Sequence, residues 1–487
     1  MRVGDAGVSR IERLGIPLTA MAILTLAAGC SSASSVRTLS PSAAPSASPS
    51  GGGSAAPCAP TWQLSAALVP SGAAAANTQL AGVAAISATD VWAVGSSATS
   101  ETAAPTTFTE HWNGTAWSIV KSPDASNAAT LGGDQLTAVT AVSADDVWAV
   151  GYVGTTVLNY ASTAQLSAAQ VQTLIEHWNG TSWSIVDAPD VASRDGVEPW
   201  DVLTSVAAIS TDDVWAVGVT EWSLVQSPSG ALAAQPLVEH WNGTYWSIVT
   251  VPDPEAGPPD WALTQGATQP ANAALVGSSA LLGVTAGSVE DVWLVGGYET
   301  DMGTTDSTPS AWETLTEHWN GTSWSIVQAP DATLPEQLTD GSNQPDDLLT
   351  SAAEAPGGIL WAVGGAMPGS ALTLQLGLAF GTSSFTGWQL VPSLAATAVE
   401  GRAGYQPSAS GGAAFAPGTS ALDGVVTVSA TDAWAVGAVI LHWDGVSWQP
   451  MYTVNGEPFD YLSGASAAGS GGLWAVGGTS IVHASCA

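Results

Sequence analysis

The chain has 487 residues, about three times the roughly 150 of an ordinary domain, so it holds two or three domains or one large repeat architecture. Seven Lys plus Arg stand against 41 Asp plus Glu, a formal net charge of −34. That argues against nucleic acid as a partner, since phosphate is neutralised by Lys and Arg, and against docking on an anionic membrane through basic residues. With 46% hydrophobic and only 10% charged residues, the chain has the composition of a folded protein with a large core.

Residues 1–29 read as a secretory signal. Arg2, Arg10 and Arg13 form the positive start, and the apolar run Leu14 to Ala28 is too short for a stable span. The run ends in LAAGC, which resembles a bacterial lipobox. The resemblance implies that Cys30 is diacylated and becomes the mature N-terminus; an ordinary signal peptide with a chance Cys is the alternative. Residues 30–57 are rich in Ser, Ala, Pro and Gly without an apolar period, a flexible linker that would hold the next domain roughly 30 Å from the bilayer.

The remainder, residues 58–487, is organised by an internal repeat with two anchors. The first is LAGVAAISATDVWAVG (Leu80 to Gly95), which returns at Leu136, Leu203 and Leu281 and, more weakly, at Gly357, Leu422 and Gly471. The second is EHWNGTAWSIVKSPD (Glu110 to Asp124), which returns at Glu176, Glu239 and Glu317 and degrades to FTGWQLVPS and LHWDGVSWQP. Each unit predicts four short strands. LxxVxAxS and VWAVG are small and β-branched with alternation; a third strand ends at HW; WSIV is the fourth, stopped by Pro123, Pro189, Pro252 and Pro330. Asn-Gly between the last two predicts a tight type I′ hairpin with positive φ at both central residues.

Four-stranded units repeated around a ring predict an all-β fold, a seven-bladed β-propeller. The strand-two Trp count is seven (Trp92, Trp148, Trp215, Trp293, Trp361, Trp434, Trp474), and so is the strand-four count (Trp62, Trp117, Trp183, Trp246, Trp324, Trp388, Trp448), but out of phase. TWQLSAALVP at the N-terminal end is therefore expected to supply the outer strand of the last blade. Aligning the repeats puts Cys58 and Cys486 at the same hairpin turn, so a disulfide between them would lock the ring, with two free thiols as the alternative.

VWLVGG and LWAVGG (Gly296 with Gly297, Gly364 with Gly365, Gly477 with Gly478) and the turn, Trp and Pro of WSIVTVP resemble the Kelch and galactose-oxidase propellers. Most copies carry one Gly rather than two. The resemblance covers residues 58–487 and implies a fold.

In an up-and-down blade the loops alternate between two faces. The one-to-two and three-to-four turns are tight in every unit, whereas the long insertions fall in the two-to-three and inter-blade links. One face is thus elaborated, the usual place for function on a rigid scaffold. Of 23 Trp, all but Trp200, Trp222, Trp261 and Trp312 belong to the repeat. These four, with Tyr298, lie in the elaborated loops of the third and fourth blades. They either pack those loops down as satellite cores or form an aromatic platform for a sugar ring or partner side chain.

The six His (His111, His177, His240, His318, His442, His483) fall on strand three of six different blades and cannot converge on one metal. Asp90, Asp146, Asp213, Asp291 and Asp432 fall in tight turns, where Asp bonds its own backbone. The copper and Cys-linked Tyr of galactose oxidase, the three Arg of sialidases, a Walker loop, an HExxH motif and a GxSxG elbow all lack the residues they need. Loop acids Asp201, Asp253, Asp260, Glu299 and Asp301 could serve carboxylate-only glycoside hydrolysis or bind Ca²⁺ through oxygen, although no EF-hand spacing is present. No cofactor is otherwise expected. The expected protein is a monomeric lipoprotein on the outer face of a bacterial membrane, touching the bilayer only through Cys30. It binds a glycan or an envelope or secreted protein without catalysis; a carbohydrate-active enzyme and an envelope assembly scaffold are the alternatives.

Overall fold

The computed structural model describes residues 37–39, 61–125, 132–154, 171–193, 198–223, 232–254, 278–300, 311–331, 347–355, 358–366, 370–378, 385–391, 422–451, 461–468 and 472–485. VWAVG is buried along its whole length in the first sheet, and flanking small residues let neighbouring sheets close over it. The first sheet runs Thr78–Ser87, Asp90–Ser97, Thr106–Trp112 and Trp117–Val120, each strand antiparallel to the last. Five further four-stranded sheets repeat this order, opening with Asp134–Ser143, Trp200–Ser210, Ser279–Ser288, Asp347–Ala355 and Leu422–Ser429.

The remaining sheet joins the two ends of the domain. Gly464–Ala468, Gly472–Gly477 and Ser480–Ser485 are its inner strands, and Thr61–Ala66 pairs outside them with Thr61 opposite Ser485 and Trp62 opposite Ala484. The expectation of seven four-stranded blades is therefore corrected: six sheets have four strands, and the closing sheet has five. Its fifth strand, Arg37–Leu39, comes from the segment expected to be a flexible linker and pairs with the outer edge of Thr61–Ala66. Main-chain pairing along a bare sheet edge needs no side-chain pattern, so composition carries no sign of it. Cys30, Cys58 and Cys486, and with them the expected disulfide, lie outside the described residues.

Trp residues staple the sheets together. Trp92 of the first sheet meets Trp178 and Trp183 of the second at ring-centroid distances of 4.8 and 5.2 Å. The same contact recurs from Trp148 to Trp241 and Trp246, Trp215 to Trp319 and Trp324, Trp293 to Trp388, and Trp361 to Trp443 and Trp448. Trp434 then meets Trp62, and Trp474 of the closing sheet meets Trp112 and Trp117 of the first, so the sequence of contacts returns to its start. Aromatic pairs at such spacings add about 0.5–1.5 kcal/mol each beyond the area they bury.

The inner strands are joined by hydroxyls. Thr137 donates to Leu203 O, Thr204 to Leu282 O, Thr350 to Leu422 O and Ser463 to Ala81 O, each reaching the next sheet. The Gly of VWAVG is required by close approach. A Cβ on Gly218 would lie 1.9 Å from Val202 O, where a bulge in strand one presses its backbone against strand two.

The three-to-four hairpin also differs from expectation. Trp112 pairs with Trp117, leaving a four-residue loop rather than a two-residue type I′ turn. Asn113 N donates to Ala116 O across the loop, and the Asn113 side-chain oxygen accepts from Thr115 N and Ala116 N within it. Gly114 supplies the positive φ of 88° that the loop needs.

Candidate functional site: the long-link face

The two ends of the ring are built differently. At the tight-turn end, Ser caps the one-to-two turn: Ser143 Oγ accepts from Asp145 N and Ser210 Oγ from Asp212 N. The repeated Asp does not bond its own turn as expected. Asp90, Asp146, Asp213, Asp291 and Asp432 instead pair with His111, His177, His240, His318 and His442 at 2.7–3.0 Å. Each of these His lies against the strand-two Trp of its own sheet, as His240 does on Trp215 at 4.1 Å, while Trp241 Nε1 donates to Thr211 O. The six His sit on different sheets, and no group of three or more His, Cys, Asp or Glu among the described residues is placed to hold a metal.

The opposite end carries the long links and is raised at the third and fourth sheets. Asp213–Ser223 and Leu232–Trp241 span 11 and 10 residues, against 6 and 4 for Asp432–Gly437 and Ile440–Trp443. The extra length is paired throughout, from Val214 opposite Trp241 to Ser223 opposite Leu232, so this wall is sheet rather than loop.

The structure joins two of the aromatic candidates. Trp312 is buried in a cluster with Tyr152, Val202, Val219, Leu282 and Leu348, drawn from four sheets, and Trp200 packs half-buried on the same cluster. Tyr298 is half-buried beside this wall and donates to Glu313 Oε2 at 2.6 Å. Trp222 is placed opposite Ala233 in the sheet, and Trp261 lies outside the described residues. Of the loop acids, Asp260 and Asp301 also lie outside them, and Glu299 is placed opposite Trp312.

Asp201 is 1% exposed; Val191 N donates to its Oδ2 at 2.6 Å, and burial pushes its carboxyl up to about 6. Glu221, opposite Trp200 in the register, is pushed up to about 7 by loss of water. Asp253 accepts from Ser279 Oγ and ties the link to strand one of the fourth sheet. A shallow, open depression on the first sheet is lined by Ala74, Ala76, Asn77, Ser100, Glu101 and Thr102.

Sequence reading missed a second set of acids. Glu110, Glu176, Glu239 and Glu317, the Glu of EHW, are 0% exposed. In a strand, residues two apart share a face, so this Glu points the same way as the Trp after His, into the sheet boundary. Burial pushes Glu110 up to about 7, Glu317 to about 8 and Glu239 to about 9, and holds Glu176 well above the usual carboxylate range. The alternation E-x-W on a strand whose Trp is buried was the available signal.

No family model and no curated protein matches this sequence. Among solved structures it is similar to YCF48 bound to a D1 peptide, at 11% identity and a TM-score of 0.42, over 87% of this chain and 96% of that one. A streptogramin B lyase gives 9% identity and 0.40, over 88% and 98%. A GH74 xyloglucanase from Xanthomonas campestris gives 14% and 0.42, over 86% of this chain and 53% of that one. These likenesses are distant, and the propeller assignment rests on the sheet order and its cyclic Trp contacts.

Proposed function

We propose that the chain is an exported, lipid-anchored propeller that binds a glycan, without catalysis, on its long-link face. One observation carries this reading: the ring is elaborated at one end only, and that end presents half-buried aromatics beside carboxylates. Half-buried Trp200 stands opposite Glu221 in the register, and Tyr298 stands hydrogen-bonded to Glu313. Aromatic faces stack on the apolar faces of sugars, and neighbouring carboxylates accept their hydroxyls. The opposite end consists of short turns whose Ser and Asn bond the turns themselves and whose Asp pair with strand-three His.

The anchor would be Cys30, by the lipobox resemblance. Cys58 and Cys486 would form a disulfide, since they stand three residues and one residue from the paired positions Thr61 and Ser485. The Kelch likeness of the repeat belongs to the same proposal.

The test is a glycan-array screen of the full chain, with and without Ca²⁺, beside Trp200→Ala. The expected result is retention of an intact glycan that falls at least tenfold in Trp200→Ala, read at a temperature where that variant, which loses packing on the Trp312 cluster, is still folded by circular dichroism. A retained glycan that is cleaved would replace this reading with an enzyme. Absence of any retained glycan would contradict it in favour of a protein partner.

A further inference from the structure

The acids between the sheets form a pattern of their own, independent of any ligand. At the second-to-third boundary Glu239 is faced by Asp190, on the link leaving the second sheet, and by Asp201, on strand one of its own sheet. At the third-to-fourth boundary Glu317 is faced by Asp253, and at the first-to-second Glu176 is faced by Asp124, Asp134 and the Ser122 hydroxyl. Neither carboxyl oxygen of Glu239 or Glu317 has a hydrogen-bond partner among the described residues. At the closing boundary Glu110 accepts from Leu68 N.

The same boundaries hold the His177–Asp146 and His240–Asp213 pairs toward the tight-turn end, where Trp148 and Trp215 cross to the next sheet. Arg37 and Lys121 are the only Lys or Arg among the described residues, and the sequence has none between Arg194 and Arg402. The fifth and sixth sheets carry Leu374 and Leu441 at the register position of this Glu. The fold therefore does not need a carboxyl there.

We propose that these four Glu act as an acid-held latch: protonated, they let neighbouring sheets close beneath the long-link face, and their ionisation at alkaline pH loosens those boundaries. An ionised carboxyl sealed beside other carboxylates, with no Lys or Arg facing it among the described residues, is a costly state for such a boundary to hold. The direction follows from proton linkage. A carboxyl raised in the folded state gives stability that is complete below its unfolded value of 4.5 and is lost as pH rises toward the folded value, about 9 for Glu239 and about 8 for Glu317. Within that window each group makes the unfolding constant rise about tenfold per pH unit.

The experiment is thermal unfolding of the full chain between pH 5 and 9, in low salt and in 1 M NaCl. The variants are Glu239→Gln, Glu317→Leu and the exposed Glu290→Gln. The melting temperature of the parent is expected to fall as pH rises and to keep falling in high salt, which screens surface repulsion but not a sealed boundary. Glu239→Gln and Glu317→Leu should each flatten the fall and melt higher at pH 9, whereas Glu290→Gln, which removes the same charge, should follow the parent. An equal slope in all four proteins would overturn the latch, as would a slope that disappears in salt. Amide exchange gives a second reading should one variant fold poorly. After correction for intrinsic rates, the parent should open at the second-to-third boundary between pH 7 and 9 while the Leu441 boundary does not. Equal opening at both would also overturn the proposal.

Discussion

Individual residues of the repeat are each held by one identifiable contact. Gly218 stands where strand one bulges toward strand two, and the Val202 carbonyl occupies the place of a Cβ. Gly218→Ala should therefore cost more than about 3 kcal/mol or abolish folding, because both partners are backbone and neither can turn aside. Circular dichroism and the yield of soluble protein would report it, and an unchanged melting temperature would contradict the close approach. Asp213 accepts from the imidazole of His240, which stacks on Trp215. Asp213→Ala should lower stability by about 1 kcal/mol at pH 7, the usual net value of one hydrogen bond, as measured by urea unfolding. A loss near zero would mean that the stack alone orients the ring.

At the scale of elements, the Trp staples explain why the two sequence anchors travel together. Strand two of one sheet brings Trp148, and the hairpin of the next brings Trp241 and Trp246 to meet it. Trp148→Ala should cost about 3–5 kcal/mol and free the second-to-third boundary first, seen as early amide exchange in Trp200–Ser210. Uniform exchange through the ring would contradict a local staple. Strand order, the tight and long ends and the outer strand Thr61–Ala66 were legible in the sequence, because alternation and Trp spacing encode them directly. The four-residue hairpin loop was not, since Asn-Gly signals a turn without its length. The buried Glu was not either: a carboxyl in a strand ordinarily faces water, and only the partner sheet shows that this face is sealed. The aromatic candidates were legible as residues outside the repeat. Which of them pack inward, as Trp312 does, depends on contacts among four sheets that no local pattern records.

The whole molecule depends on joining its two ends. Thr61–Ala66 closes the outer side of the last sheet, Ser463 and Ser466 bond across to the first sheet, and Trp474 completes the Trp contacts against Trp112 and Trp117. A closed ring holds both faces rigid, as the binding surface proposed on the long-link face would require. Amide exchange of the full chain under reducing conditions tests closure most directly, because no disulfide can then stand in for the non-covalent contacts. A closed ring gives Ser480–Ser485 and Thr61–Ala66 the same protection as the third and fourth strands of the second and third sheets. Rapid exchange of both segments, with the other sheets still protected, would show a ring that is open at its seam.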